Sequence, residues 1–227
     1  MIFIAEIGMN HNGNMGLIFE LVKQAAHSGA DYAKFQLGWR DKVGEINRIQ
    51  SEEIDLIFKC CEYFDIKPLF SIIKPEAYQL LEGKRVEAFK IASRTVNEYP
   101  QLVNQIISTG KQTFISLGMT DKRTPFGTAP NIDYLWCKSE YPAYSWNLTG
   151  LPKTFVGSDF RGYSDHSVGI DVAILAIARG ATVIEKHFTL DKSDTTIRDH
   201  ALSATPDEFS QMVQIGRLIH KNLEIGV

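Results

Sequence analysis

Cysteine is scarce in this 227-residue chain: Cys60, Cys61 and Cys137 make an odd count, two of them adjacent, with no Cys-x-x-Cys spacing. That argues against a disulfide framework and a zinc knuckle, and predicts a reducing, cytoplasmic setting. A basic excess is also missing. With 24 Lys and Arg against 27 Asp and Glu the net charge is -3, so neither nucleic acid nor a membrane surface is an expected partner. No apolar run approaches the ~18 residues of a membrane span, and the opening MIFIAEIGMN lacks the basic flank and small-residue cleavage site of a signal peptide. No glycine-rich dinucleotide turn follows any apolar run. What is present is a globular balance, 44% hydrophobic and 22% charged, enough to bury a large core. Disorder, collagen, coiled coil and a secreted mini-domain are thereby excluded.

Short β-branched and aromatic runs alternate with helix-length amphipathic stretches along the whole chain. The strand candidates are residues 2–8, 31–36, 67–72, 88–93, 112–118, 133–139, 161–165 and 182–189. Leu17, Leu21, Val22 and Ala25 recur at helical spacing, and Ser28-Gly29 supplies a stop. Ser51 before Glu52 and Glu53 predicts an N-cap with an acidic first turn. Thr205-Pro206-Asp207-Glu208 predicts another helix start, with Pro at the first helical position and Glu three residues after the cap. Eight strands with helical crossovers give an α/β fold of the (β/α)8 TIM-barrel type, one domain over residues 1–227. After the fifth strand, MTDKRTPFGTAPN carries no helical period, so that crossover helix is expected to be missing or vestigial.

Parallel barrel strands read nearly all apolar, with polar exceptions at the C-terminal ends where active sites sit. Glu6 and His11 close the first strand, and Lys34 and Gln36 the second. Lys90 and Ser93 close the fourth, Ser116 the fifth, and Lys138, Ser139 and Glu140 the sixth. Ser164 and His166 close the seventh; Glu185, Lys186 and His187 close the eighth. Side-chain alternation puts Ser164 with His166, and Glu185 with His187, on one face. Strands seven and eight are neighbours in a barrel, so His166 and His187 can meet, and two imidazoles with open positions suit Mn²⁺, Fe²⁺ or Zn²⁺. Lys186 faces the other way, toward an expected salt bridge with an outer helix. Lys34 and Lys90 at the mouth point to an anionic ligand carrying phosphate or carboxylate, with Ser93, Ser116 and Ser164 as neutral donors.

Six ordered motifs, Ala5-Glu6-Ile7-Gly8-Met9-Asn10-His11-Asn12-Gly13, Lys34-Phe35-Gln36, Phe89-Lys90-Ile91-Ala92-Ser93, Ser139-Glu140-Tyr141-Pro142, Gly162-Tyr163-Ser164-Asp165-His166-Ser167 and Ile184-Glu185-Lys186-His187-Phe188-Thr189, closely resemble the sialic acid synthase (N-acetylneuraminate synthase) family. The resemblance runs from residue 3 to about residue 217. It implies a barrel that condenses phosphoenolpyruvate with an N-acetylated sugar aldehyde to make a nonulosonic acid, releasing phosphate. It further implies His166 and His187 as ligands of a divalent metal, Mn²⁺ first, with Mg²⁺, Fe²⁺ or Zn²⁺ as alternatives. Lys34, Lys90, Ser93, Ser116 and Ser164 would meet phosphoenolpyruvate, and Gln36, Tyr141 and Asp199 the sugar. Glu6 and Glu185 would stand near the reacting carbons.

Departures from the family pattern carry their own expectations. Ser71-Ile72-Ile73-Lys74 replaces Ser-Thr-Pro-Phe, losing a hydroxyl that Lys74 either replaces or leaves unfilled. Thr95 stands where an acid is usual, beside an unusual Arg94, and Ser139 stands where Asn is common. The loop after the second strand is short. Full-length synthases continue past the point corresponding to Val227 into an antifreeze-like domain that supplies an arginine to the N-acetyl group, which leaves Arg94 and Arg198 as local substitutes. A homo-oligomer or a separately encoded partner domain is left open. Two alternatives remain: condensation with a different aldehyde, and a metal- and anion-binding barrel with weakened catalysis serving as a binding or assembly subunit.

Overall fold

Eight apolar runs pair in chain order and close on themselves: β1 (Ile2–Gly8), β2 (Tyr32–Leu37), β3 (Lys67–Ile72), β4 (Ala88–Ile91), β5 (Gln112–Leu117), β6 (Ile132–Cys137), β7 (Gly162–Asp165) and β8 (Val183–His187). All pairs are parallel, and β8 returns to β1 with His187 opposite Glu6. The result is the (β/α)8 barrel expected from the sequence. This computed structural model describes residues 1–226, so Val227, the last residue of the expected 1–227 unit, lies outside the described residues. No helix among them is long and apolar enough to cross a membrane.

Helices α1 (Met15–His27), α2 (Ser51–Tyr63), α3 (Pro75–Gln79), α4 (Ser93–Glu98), α5 (Pro100–Ile107), α6 (Asp171–Ala178) and α7 (Pro206–Glu224) cover the outside. Helix α1 buries Ile18, Leu21, Val22 and Ala25, so Ile18 takes the place expected for Leu17. Gly29, at φ +84, ends that turn as its sequence predicts. Helix α7 carries the expected capping box: Glu208 accepts from Thr205 N–H at 2.9 Å, and Thr205 Oγ1 accepts from Glu208 N–H at 3.4 Å. The start of α2 corrects the expectation. Gln50 is the N-cap and Ser51 the first helical residue, because the Glu53 carboxylate reaches back to Gln50 N–H at 2.6 Å.

The crossover after β5 is loop, as expected. So is the one after β6, where only a 3-10 turn at Ser145–Asn147 interrupts the path to β7. Two crossover helices are therefore missing rather than one. Leu148, Leu151, Phe155 and Phe160 from that loop pack on the outer core in the helix's stead.

Alternation along the strands sorts the interior into layers. Ile4, Tyr32, Leu69, Ala88, Phe114, Leu135 and Val183 form a separate apolar cluster inside the barrel. Two residues further along the same strands stand Glu6, Lys34, Ser71, Lys90, Ser116, Cys137 and Glu185, all buried. The apolar layer is the floor, and the polar layer rests on it. Gly162 completes the floor on β7, where a Cβ would lie 1.9 Å from the Val183 carbonyl oxygen, so only glycine lets β7 and β8 approach there.

Lys186 does face out of the barrel, but its partner is not on a helix. Its ammonium pairs with Asp165 at 3.2 Å on neighbouring β7 and donates to the Ser167 carbonyl; Lys186 and Asp165 are both fully buried. The second Asp165 oxygen accepts from Tyr163 OH at 2.9 Å and Ser167 N–H at 2.6 Å. Register explains the difference, since Asp165 lies directly opposite Lys186. Lys186→Met leaves that carboxylate without its counter-charge and is expected to cost about 3–5 kcal/mol, read as a drop in the urea midpoint.

Candidate active site

The polar layer opens at the C-terminal end of the strands into a cavity of about 360 Å³. All twelve residues singled out for chemistry line it: Glu6, Lys34, Gln36, Lys90, Ser93, Ser116, Tyr141, Ser164, His166, Glu185, His187 and Asp199. Among the other strand-end groups, Ser139 lines it, whereas His11, Lys138, Glu140 and Lys186 do not. Lys138 and Glu140 pair with each other at 3.1 Å near the surface. His11 is buried behind β1 within 3.2 Å of Asn47 Oδ1, and Asn47 donates to the Trp39 carbonyl at 2.8 Å, so this histidine braces the loop after β2.

At the centre, Lys34 lies between two carboxylates, 3.1 Å from Glu6 and 3.2 Å from Glu185. Burial acts to lower its pKa, but the two acids outweigh burial and raise it, so this lysine stays charged. Glu185 also accepts from Ser164 OH at 2.7 Å and stands 3.8 Å from Lys90. Burial opposes its ionisation, yet Lys34, Lys90 and Ser164 bring its pKa down to about 2. Glu6 differs. It accepts from Gln36 at 2.7 Å, and burial with the nearby Glu185 charge raises its pKa despite Lys34. Two carboxyls around one ammonium thus hold protons with unlike strength.

Lys90 donates to Ser116 Oγ at 2.7 Å and to the Ile91 carbonyl at 3.0 Å. With Glu185 already engaged by Lys34, burial prevails and brings the Lys90 ammonium down to about 8. Ser93, the first residue of α4, accepts from Gly118 N–H at 2.8 Å, which leaves its own hydroxyl proton for a ligand. The Ser164 proton is committed to Glu185.

His166 and His187 face each other with ring centroids 5.4 Å apart. His166 Nδ1 lies 2.8 Å from the Lys138 carbonyl, which directs Nε2 inward, and Tyr141 stacks on this ring at 4.1 Å. Burial acts against a proton on His166, but Cys137, with Sγ 3.7 Å from Nδ1, and the Lys138 carbonyl outweigh it and raise its pKa. His187 is held neutral by burial and by His166 and Lys34. Its buried Nδ1 has no hydrogen-bond partner and lies 3.9 Å from Asp199, too far for a direct bond. Neutral imidazole with an unused nitrogen is the ligand form for a divalent cation, and a bound cation would displace any proton on His166. Among the described residues no cluster of three metal-binding side chains is found. The donor set that fits an ion is therefore two imidazoles, with water or substrate filling the remaining positions.

Several departures from the family pattern have a structural account. Lys74 does not replace the lost hydroxyl, because it pairs with Asp41 at 2.8 Å outside the cavity, and Ile73 lines the wall instead. Thr95 is fully buried, with its hydroxyl 3.2 Å from the Ile72 and Ile73 carbonyls. Arg94 and Arg198 both line the rim, each over an aromatic ring: Arg94 at 5.1 Å from Trp39, Arg198 at 4.9 Å from Tyr141. Met9, Trp39, Met119 and Cys137 also line the cavity and were not anticipated. For Cys137 a signal exists: it follows Leu135 at the spacing by which Glu6 follows Ile4.

A model of the NeuB family matches residues 43–227. The chain belongs to the NeuB family. This NeuB-family barrel is 36% identical to an uncharacterized protein of Methanocaldococcus jannaschii, over 98% of this chain and 72% of that protein. It is 30% identical to the N,N'-diacetyllegionaminic acid synthase of Campylobacter jejuni, over 100% of this chain and 78% of that enzyme. A crystal structure of N-acetylneuraminic acid synthetase from Leptospira borgpetersenii superposes with TM-score 0.86 at 26% identity, covering 100% of this chain and 86% of that one. Two of these three relatives are thus named as synthases, one of N,N'-diacetyllegionaminic acid and one of N-acetylneuraminic acid.

Proposed function

We propose that this NeuB-family chain condenses phosphoenolpyruvate with an N-acetylated sugar aldehyde, releasing phosphate and forming a nonulosonic acid. The observation that carries this reading is one cavity holding an anion-ready lysine, two carboxyls of opposed proton affinity around a second lysine, and a pair of facing imidazoles. Lys90, Ser93 and Ser116 bind the phosphate and carboxylate oxygens of phosphoenolpyruvate. Lys34 neutralises Glu6 and Glu185, so the anionic substrate can enter beside them. Gln36, Tyr141 and Asp199 orient the sugar.

The double-bond electrons of phosphoenolpyruvate form a bond from C3 to the aldehyde carbon. Water oxygen adds at C2, and Glu6 takes the water proton. The bond from C2 to the bridging oxygen then breaks, phosphate departs with that oxygen and with the proton of the C2 hydroxyl, the proton held by Glu6 passes to the former aldehyde oxygen, and a 2-keto acid three carbons longer remains. Glu185 stays ionised and orients the water. His166 and His187 would hold a divalent ion such as Mn²⁺, which would supply Lewis acidity to the aldehyde. In the cavity, Tyr141 on His166 and the buried wall around His187 exclude bulk water.

The test is phosphate release from phosphoenolpyruvate with Mn²⁺ across a panel of N-acetylated sugar aldehydes. Release that needs both an aldehyde and the divalent ion, and is lost with chelator, is the expected result. Release without any aldehyde, or none with any sugar, contradicts the reading.

A further inference from the structure

Three consecutive residues of the turn after β1, Asn10, His11 and Asn12, stay out of the cavity lining, yet each reaches a segment that contributes to it. His11, fully buried, accepts from Gly13 N–H on Nδ1 at 3.1 Å, so the proton of the neutral ring sits on Nε2 and is donated to Asn47 Oδ1 at 3.2 Å. Burial lowers the His11 pKa, which keeps the ring in that neutral form. With its oxygen engaged, the Asn47 amide turns Nδ2 to the Trp39 carbonyl at 2.8 Å and the Gln36 carbonyl at 3.4 Å. Gln36 and Trp39 both line the cavity. On the other flank, Asn12 donates to Asp194 at 2.6 Å and accepts from His200 Nε2 at 3.0 Å. Asn10 donates to the Phe188 carbonyl and to Ser203 Oγ, each at 2.9 Å, and Ser203 donates in turn to the Asp199 carbonyl at 2.6 Å. Asp199 is thus held twice, through His200 next to it and through its own carbonyl.

We infer that Asn10, His11 and Asn12 are positioning residues that form one clamp across the loops on either side of β1, and that this clamp sets the acceptor half of the cavity, Gln36 and Trp39 on one flank and Asp199 on the other. This rests on the condensation reading for what binds there. In the barrel β1 lies between β2 and β8, so the turn that leaves it stands between the two flanks. The anion contacts lie elsewhere, since Lys90, Ser93 and Ser116 come from β4, α4 and β5. The clamp therefore acts on the sugar and not on phosphoenolpyruvate. Asn47 is itself buried, so removing its partner at His11 leaves a buried amide oxygen unpaired, and the loop must shift to hydrate it.

The experiment treats the two nitrogens of His11 separately. Glutamine places a donor where Nε2 stands, and asparagine places an acceptor where Nδ1 stands. His11→Gln therefore keeps the link to Asn47, and His11→Asn keeps only the turn contact with Gly13. The acceptor is N-acetylmannosamine, or whichever N-acetylated sugar aldehyde supports phosphate release, with saturating phosphoenolpyruvate and Mn²⁺. His11→Asn and Asn47→Ala are each expected to raise the sugar's KM about five- to 150-fold, the cost of leaving a buried group unpaired. Both kcat and the Kd for phosphoenolpyruvate should stay near the parent's, and His11→Gln should match the parent. The double variant should be no worse than the worse single one, because both remove the same bond. Asn12→Ala should give the same KM signature. Hydrogen exchange locates the loosening, in residues 38–47 for His11→Asn and in residues 189–203 for Asn12→Ala. Thermal melts check the fold, and Asn47→Ala reads the bond from its other end should His11→Asn not fold. His11→Gln as impaired as His11→Asn, additive effects, an equal rise in the Kd for phosphoenolpyruvate, or no loosening in either segment overturns the inference. Loosening of residues 38–47 by His11→Asn in a protein that releases no phosphate with any sugar would keep the clamp and sink the condensation reading. Phosphate release by the parent with a sugar KM that no clamp variant moves would do the reverse.

Discussion

Lys90→Met is expected to raise the Kd for phosphoenolpyruvate by about 30- to 5,000-fold, the range for truncating one partner of a buried, hydrogen-bonded charge contact. The size follows from the division of labour between the two lysines. Lys34 is neutralised by Glu6 and Glu185, while Lys90 has Ser116 and a carbonyl as its nearest partners. The fold should persist, because methionine fills a similar volume on the layer above Phe114 and Ala88. A pH series adds a second signature. Burial brings the Lys90 ammonium down to about 8, so it is charged below that pH and increasingly neutral above it. Affinity for the anion should therefore weaken as pH rises past 8, by at most about tenfold per pH unit for one proton, and this slope should vanish in Lys90→Met. Calorimetry that finds the variant binding as tightly as the parent places the anion elsewhere.

Glu6→Gln is expected to lower kcat by about 10²–10⁴-fold, the usual contribution of a positioned acid–base group, while phosphoenolpyruvate still binds. Two neighbouring carboxyls whose environments push their proton affinities apart divide the roles of proton carrier and fixed charge. Here Glu6 is the one raised by burial and by Glu185, and Glu185 is the one held ionised against burial by Lys34, Lys90 and Ser164. Glutamine preserves the shape and an acceptor for Gln36 but carries no proton between water and substrate. Single-turnover phosphate release checks this directly. A fall of less than about tenfold would move the proton to another group.

Much of this architecture is legible in the sequence because a parallel barrel enforces one rule on every strand: apolar throughout, polar where it ends. Glu6, Lys34, Lys90, Ser116 and Glu185 break that rule at the same height, and the structure brings them into one layer. The rule fails where side chains leave the strands. Trp39, Arg94, Met119 and Arg198 sit on loops or in the first turns that follow, and no periodicity assigns such residues a direction. It also fails where two outcomes share one parity. Lys186 was readable as facing outward, but its partner Asp165 depends on the register of β7 against β8, which alternation along one strand does not contain. The missing crossover helix after β5 showed in its proline, glycine and threonine content. The one after β6 did not, because its apolar residues serve the outer core from a loop instead of a helix.

The most direct measurement is the mass of the product formed from uniformly ¹³C-labelled phosphoenolpyruvate and an acceptor sugar aldehyde. The account predicts a 2-keto acid that carries all three labelled carbons joined to the intact sugar, formed one for one with inorganic phosphate and absent in Lys90→Met. Labelled pyruvate released beside an unchanged sugar would make the protein a phosphatase of phosphoenolpyruvate. That result would contradict the condensation chemistry assigned to this cavity.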